Sequence, residues 1–371
     1  MLAALPAILH ADPAVPDEDE SPIALLVDLE SGQALHSREA DRRFIPASIT
    51  KVMTAYVAFE MIADGSLTED QAVTVSSEIA DEWYARGSTM FLRAGDEVLV
   101  ADLLHGIASV SGNDASIVIA TEGAGSVEQW VSLMNQAAVE LGMEDSHFGT
   151  PNGWPDEGQT FVSARDLVKL AEAMISRHPE LYARYFGKPG LAYNGFAQRN
   201  HDPISGVVPG ADGIKTGFTR EAGNTFLGSA QRQNRRLVMV VAGIEGEEER
   251  ARISRDLIEW GFAGFENHPL FDAGTLVAQA KVQDGSARSV GLRVPAATIL
   301  SLPVDRKADI ELTLHYRGPV IAPVSQGDRI ARLEIAIEGL EPYSIPLEAT
   351  VDVDKARPWH RILNGVLGVL E

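Results

Sequence analysis

The stretch from Ser48 to Ile62, Ser-Ile-Thr-Lys-Val-Met-Thr-Ala-Tyr-Val-Ala-Phe-Glu-Met-Ile, is apolar on almost every face when wound as a helix. A helix apolar all round is buried in the middle of a domain, so the remaining chain must be arranged to cover it. Pro46 favours an extended entry and Gly65 supplies a stop.

Ser48 and Lys51 lie three residues apart on this helix. They share one face at about 5–6 Å between Cβ atoms, which sets a hydroxyl beside an ammonium at the start of a buried element. A free lysine titrates near pH ~10.4 and is no base at neutral pH. Desolvation disfavours its charged form, and a fall of about three pH units asks roughly 4 kcal/mol of the environment, which burial supplies. A neutral Lys51 takes the Ser48 proton and makes the hydroxyl a nucleophile. The alternative is that Ser48 only caps the helix; Ser-x-x-Lys alone does not separate the two.

With 31 basic against 53 acidic residues the net charge is −22. A nucleic-acid partner would want a basic stripe, so none is expected. The chain contains no cysteine, which removes disulfides, thiolate metal sites and a cysteine nucleophile. The nine histidines form no His-Glu-x-x-His pattern; no metal and no cofactor are expected. No apolar run approaches the ~18 residues of a spanning helix. Residues 1–20 begin with a short apolar stretch and turn acidic and proline-rich; they read as a signal remnant lacking a basic start, or as a disordered terminus.

Ile23–Asp28 reads as a strand turning at Glu30-Ser-Gly-Gln33 into a second, a hairpin that delivers the chain to the Ser48 helix. Residues 64–95 are polar and predict irregular structure. Helices are expected from Asp102 to Val110 and from about Asp114, broken at Ser111-Gly112-Asn113. That break is either an ordinary turn and cap or a device projecting a hydroxyl and a carboxamide into a cleft. Thr150-Pro-Asn-Gly is a dense turn signal. A helix follows from Ser163, in which Arg165 reads as a structural ion-pair residue. Strands are expected at 213–218, 224–229 and 236–243, then a helix to about Phe262. Strands at both ends of a helical stretch predict an α+β domain over 21–264: an antiparallel sheet with a helical insert carrying Ser48 and Asn113.

From about residue 265 the pattern changes to period two: Ile310, Leu312, Leu314, Tyr316; then Leu333, Ile335, Ile337; then Tyr343, Ile345, Leu347. This predicts a small antiparallel β-sandwich domain over 265–354. In 355–371, Trp359, Ile362, Leu363, Val366, Leu367 and Leu370 form one helical stripe. Such a helix either packs on its own domain or lies in a membrane interface; Gly365 and Gly368 weaken it as an autonomous helix.

Ser48-x-x-Lys51, Ser111-Gly112-Asn113 and Lys215-Thr216-Gly217 thus follow one another, each weak alone and strong in ordered conjunction. With Thr150-Pro-Asn-Gly, Asp212-Gly-Ile-Lys-Thr-Gly, Trp260-Gly-Phe and the tail, the chain from about Pro22 resembles the low-molecular-mass penicillin-binding proteins, specifically the D-alanyl-D-alanine carboxypeptidases with a C-terminal β domain. The resemblance implies a β-lactamase/transpeptidase-like catalytic domain, stem peptides of peptidoglycan as substrates, acylation by β-lactams, and a place on the periplasmic side of the cytoplasmic membrane. It implies that Ser48 attacks the penultimate D-alanine carbonyl with Lys51 as base, and that backbone N–H groups of Ser48 and Phe218 hold the oxyanion. Ser111 would relay a proton to the leaving amine and Asn113 would hold the substrate amide. Lys215, Thr216 and Arg250 would receive the terminal carboxylate, with Arg252 a rival to Arg250. Gly112 and Gly217 complete the second and third motifs. Phe218 stands where the family often has histidine, which bears on deacylation and substrate preference.

A class A β-lactamase needs a deacylating carboxylate in a Glu-x-x-Leu-Asn setting, which this chain lacks. A D,D-endopeptidase on the same fold and a non-catalytic binding protein are the other readings. The β domain disfavours the first, and the intact motif residues disfavour the second.

Overall fold

The computed structural model describes residues 21–304 and 307–357, together with Val15. The remainder of the N-terminal segment 1–20 and the expected tail helix, with its stripe from Trp359 to Leu370, lie outside the described residues. By contacts the chain divides into two units. The first comprises the residues up to Leu29 and His36–Ala263; the second comprises Glu30–Leu35 and the residues from Gly264 onward.

The strands β1 (Ile23–Asp28) and β2 (Gln33–Arg38) lead to a 3-10 turn at Ala47–Ile49 and then to α1 (Thr50–Asp64). Every residue of α1 from Thr50 to Phe59 is buried. That matches a sequence with no polar face to give to solvent. Gly65 ends the helix in the left-handed conformation, φ 81°, where glycine carries no Cβ penalty. Residues 64–95, expected to be irregular, hold β3 (Ala72–Thr74) and α2 (Ser77–Trp83), and β3 pairs with β4 (Glu97–Leu99). The hydroxyl of Ser76 caps α2 by accepting the Ile79 N–H at 3.2 Å, a start signal that the polar composition hid.

Next come α3 (Val100–Val110), α4 (Asn113–Ala124), α5 (Val127–Glu140), α6 (Ala164–Arg177) and α7 (Pro179–Tyr185). The helices α3, α4, α5 and α6 pack around α1. Arg165 pairs with Asp41 at 2.7 Å, a structural ion pair. A small hairpin, β5 (Gly190–Tyr193) with β6 (Phe196–Arg199), precedes β7 (Ala211–Thr219), β8 (Gly223–Arg232), β9 (Arg235–Ile244) and α8 (Glu247–Gly264). The main sheet has the order β2-β1-β9-β8-β7. The pairs β1–β9, β8–β9 and β7–β8 are antiparallel. Strands from both ends of the unit thus enclose the helical insert in sequence. Gly261 lets α8 close on β1: a Cβ there would sit 2.5 Å from Leu26 Cδ2.

Two glycines seat the turn that carries Ser48. A Cβ on Gly217 of β7 would lie 2.4 Å from the Pro46 carbonyl oxygen. A Cβ on Gly153, in the loop after α5, would lie 1.9 Å from the Ala47 carbonyl oxygen. Strand and loop therefore grip the turn from two directions, backbone against backbone.

In the second unit, β10 (Phe265–Phe271), β11 (Leu276–Gln283), β12 (Ser289–Arg293), β13 (Thr298–Pro303), β14 (Ile310–Tyr316), β15 (Val320–Ile321), β16 (Arg329–Ile337) and β17 (Tyr343–Ala349) form two sheets. Six strands run β14-β16-β17-β12-β11-β15, and β10 pairs with β13. The pairs are antiparallel except the short β11–β15 contact. Leu333, Ile335, Ile337 and Leu347 point into apolar clusters. Ile310 and Leu312 alternate as the period predicts but are 41% and 42% exposed, because β14 is an edge strand and only its Leu314–Tyr316 end reaches the larger cluster.

Gly153→Ala is expected to destabilise the first unit by about 1–3 kcal/mol, since overpacking adds to the strain of φ 72°. Differential scanning calorimetry checks this; an unchanged transition would mean that the Ala47 carbonyl yields without cost.

Candidate active site

Lys51 is fully buried, and its Nζ lies 3.0 Å from Ser48 Oγ, 2.8 Å from Asn113 Oδ1 and 2.6 Å from the Asn152 carbonyl oxygen. Burial holds its pKa well below the ordinary lysine value, the Lys215 charge pushes the same way, and Asp114 opposes both. The donor count is informative. An ammonium has three N–H groups for these three acceptors. A neutral amine has two, which match the two carbonyl oxygens and leave its lone pair for the Ser48 hydroxyl.

Each acceptor is fixed by its own neighbours. Asn113 opens α4, and its Nδ2 donates to the Arg86 carbonyl at 2.9 Å, which turns Oδ1 toward Lys51. Ser111, between α3 and α4, is held in the left-handed conformation at φ 61°, a placement that costs energy for a residue with a Cβ and clusters at functional sites. The carboxylate of Asp114 accepts the N–H groups of Met90, Leu92 and Ala115, and the Ser88 carbonyl accepts Asn113 N–H at 2.8 Å. These bonds stitch the 88–92 segment to the start of α4. The Asn152 carbonyl is presented by the Thr150–Trp154 loop, which Thr54 of α1 ties down by donating to the Pro151 carbonyl at 2.6 Å.

On β7, Lys215 is buried and donates to the Thr216 carbonyl at 2.9 Å. Burial, reinforced by the Arg250 charge and opposed by Asp202, lowers its pKa to about 7. Arg250 in α8 is buried too; it donates to Glu247 Oε1 at 3.3 Å, while its Nε has no acceptor. Arg252 instead faces solvent and pairs with Asp256 at 3.4 Å. The Thr225 hydroxyl donates to the Gly217 carbonyl at 3.1 Å, which steadies β7 where it meets the Ser48 turn.

Ser48, Ser111, Asn113, Thr216, Phe218 and Arg250 all line one cleft of about 720 Å³, Gly217 among its other walls. Gly112 sits between Ser111 and Asn113, packed against Met90 and Ala115. The Phe218 side chain is 60% exposed at the rim. The residues singled out in sequence from three distant segments therefore converge. Sequence reasoning missed Asp114 as a buried organiser, the Asn152 carbonyl and Trp154. A backbone carbonyl has no side-chain signature, although the turn motif Thr150-Pro-Asn-Gly marked the loop that bears it.

Residues 10–246 match the family model described as D-alanyl-D-alanine carboxypeptidase, and residues 265–355 match that of the penicillin-binding protein 5 C-terminal domain. The chain is 31% identical over 335 residues to D-alanyl-D-alanine carboxypeptidase DacA of Haemophilus influenzae, covering 90% of this chain and 85% of that one. It is 30% identical over 347 residues to DacF of Bacillus subtilis, covering 91% and 87%. Among solved structures, penicillin-binding protein 5 of Haemophilus influenzae superposes with a TM-score of 0.77 at 30% identity, covering 91% of this chain and 98% of that one. The ampicillin-bound penicillin-binding protein D2 of Listeria monocytogenes gives 0.57 at 28%, covering 65% and 97%. The chain belongs to the D-alanyl-D-alanine carboxypeptidase family and carries, after its peptidase unit, the C-terminal domain of penicillin-binding protein 5.

Proposed function

We propose that the chain removes the terminal D-alanine from peptidoglycan pentapeptide stems through an acyl-enzyme on Ser48. The observation that carries this reading is the fully buried Lys51, its Nζ 3.0 Å from Ser48 Oγ and backed by two carbonyl oxygens.

Ser48 Oγ attacks the carbonyl carbon of the penultimate D-alanine while its proton passes to Lys51 Nζ. The backbone N–H groups of Ser48 and Phe218 receive the oxyanion; losing one such donor costs about 3–4 kcal/mol. The C–N bond then breaks, and the leaving amine takes a proton through the Ser111 hydroxyl. Water attacks the ester, Lys51 takes its proton, and the shortened stem leaves. Lys215, Thr216 and Arg250 hold the terminal carboxylate, and Asn113 holds the substrate amide. The strand β7 ends the sheet, so its outer edge suits pairing with an extended peptide. A β-lactam acylates Ser48 in the same manner, but its ring-opened amine stays tethered and blocks the water.

Ser48→Ala is expected to abolish both labelled-penicillin attachment and D-alanine release while leaving the melting temperature unchanged. Lys51→Arg keeps the charge but not the base, and acylation should fall by about 10²–10⁴-fold. Intact-protein mass spectrometry reads both. Residual adduct in Ser48→Ala would overturn the nucleophile, and near wild-type acylation in Lys51→Arg would overturn the base.

The two shifted lysines predict a bell-shaped pH dependence of kcat/KM. Activity rises with pH as Lys51 loses its proton, at a pH well below an ordinary lysine. It falls again as Lys215 loses its charge at about pH 7 in the free protein. Lys215→Arg stays charged and should flatten the alkaline limb; an identical limb in that variant would assign it to another group.

We place the protein at the outer face of the cytoplasmic membrane, held by residues 358–371. The apolar stripe Trp359, Ile362, Leu363, Val366, Leu367, Leu370 supports this: each buried aliphatic side chain contributes roughly 1.5–3 kcal/mol, enough for reversible attachment. No helix among the described residues is long and apolar enough to cross a membrane. Deleting 358–371 should release the protein from anionic vesicles with activity on a soluble peptide unchanged. Full-length protein that fails to sediment with vesicles would refute the anchor.

A further inference from the structure

The acidic run Glu247-Glu248-Glu249 forms the first turn of α8, where carboxylates suit the helix dipole. Of the three, Glu247 alone also lines the cleft that holds Ser48. Its Oε1 accepts from Arg250 Nη2 at 3.3 Å and lies 3.8 Å from His201 Nδ1. The dipole accounts for three acids in a row. It does not account for one of them resting on the guanidinium that the proposed reaction assigns to the substrate carboxylate.

Arg250 is poorly served by the protein around it. It is 3% exposed, and a charge at that depth needs good acceptors. A charge-assisted N–H···O bond is ordinarily about 2.7–2.9 Å. Arg250 Nη2 reaches Glu247 only at 3.3 Å and the His201 carbonyl at 3.5 Å, and its Nε has no acceptor. The Glu247 side chain, by contrast, is 66% exposed, so water replaces Arg250 readily when the carboxylate turns away. His201 Nδ1, when it carries a proton, is a second partner on the same side. Asp202 is the other carboxylate whose charge acts on Arg250, and it cannot turn in this way. Its Oδ1 accepts the Ile204 and Ser205 N–H groups and its Oδ2 accepts the Ser205 hydroxyl. One carboxylate is fixed by its own loop; the other is hydrated and held by a single long bond.

We propose that Glu247 is a displaceable internal counter-ion, whose carboxylate occupies Arg250 in the empty cleft and competes there with the terminal carboxylate of the incoming peptide. The proposal rests on the carboxypeptidase reading for the identity of that group. Glu247 acts through Arg250 and is a positioning residue: no bond of the acyl transfer passes through it, and its effect falls on substrate binding. Removing its charge works in one direction on two counts. Arg250 is left with an unmatched buried charge that the substrate carboxylate then matches, and the repulsion between that carboxylate and Glu247 disappears.

The test compares a pentapeptide ending in a free D-alanine carboxylate with the same peptide as its C-terminal amide. Glu247→Gln keeps the size of the side chain and removes its charge. It should lower KM for the acid about 2- to 5-fold, the range of an exposed ion pair, without raising kcat. Glu248→Gln makes the same change of net charge in the same helical turn, outside the cleft, and should leave KM as in the wild type. Calorimetry in the Ser48→Ala background reads binding without turnover: adding Glu247→Gln should tighten Kd for the acid by the same factor and leave that for the amide unchanged. An unchanged or weaker Kd for the acid, an equal gain for the amide, or an equal gain with Glu248→Gln would each overturn the competition. A weaker Kd would show instead that Glu247 holds Arg250 in place for the substrate. Failure of the wild type to release D-alanine from the acid counts against the carboxypeptidase reading, and the two Kd series still decide whether Glu247 competes with a carboxylate.

Discussion

The burial of one amine organises the first unit. Lys51 sits in the middle of a helix wall formed by α1 and its neighbours, where a charged ammonium is costly unless fully matched. Three acceptors from three different segments meet at Nζ, and each is positioned by bonds of its own. The match serves the neutral form as well as the charged one, because two carbonyls and one hydroxyl suit two N–H groups and a lone pair. The positive charge of Lys215 adds to the bias against a second cation. Packing, hydrogen bonding and electrostatics all press on the same proton.

The topology supplies the remaining parts at the required spacing. The Ser48 turn follows the sheet's first two strands, and Lys215-Thr216-Gly217 lies on the edge strand built from the unit's far end. They meet because neither Gly217 nor Gly153 carries a Cβ at the contact. The break between α3 and α4 then faces both, with Asp114 using its buried carboxylate to hold the opposite rim through the backbone N–H groups of Met90 and Leu92. Both sides are strained: Ser111 in the break and Phe91 in the facing segment hold positive φ. Backbone strain of this kind clusters at functional sites.

How much of this was legible depends on whether a feature leaves a side-chain trace. The all-apolar character of α1, its Gly65 stop, the Ser111–Asn113 break and the three strands before α8 were readable, because each rests on local periodicity or turn chemistry. Helix α2 was not, since it is short and polar and only the Ser76 cap marked it; the hairpin β5–β6 was passed over although Asn194-Gly195 between Tyr193 and Phe196 is a two-residue hairpin turn signal. The period-two pattern found the edge strand β14 but overstated its burial at Ile310 and Leu312. At the site, motif spacing named residues that converge on one cleft, while the choice between Arg250 and Arg252 needed the fold. Both lie in α8, but only Arg250 turns inward. The Asn152 carbonyl was invisible because backbone atoms are common to every residue.

A protein of net charge −22 that is proposed to receive an anionic terminus presents an apparent conflict, and the distribution of charge resolves it. Most acidic residues lie on the surface, where salt screens them beyond about 8 Å at physiological ionic strength. Lys215 and Arg250 are buried at the cleft, where a lower dielectric makes each charge act far more strongly at short range. The Arg250 charge adds to burial in lowering the pKa of Lys215, a repulsion that a substrate carboxylate would relieve in the proposed reaction. The partnerless Arg250 Nε adds an unmet donor to the same spot. In the proposed reaction the substrate carboxylate would favour the charged form of Lys215 and would offer the Arg250 Nε the acceptor that the protein does not supply.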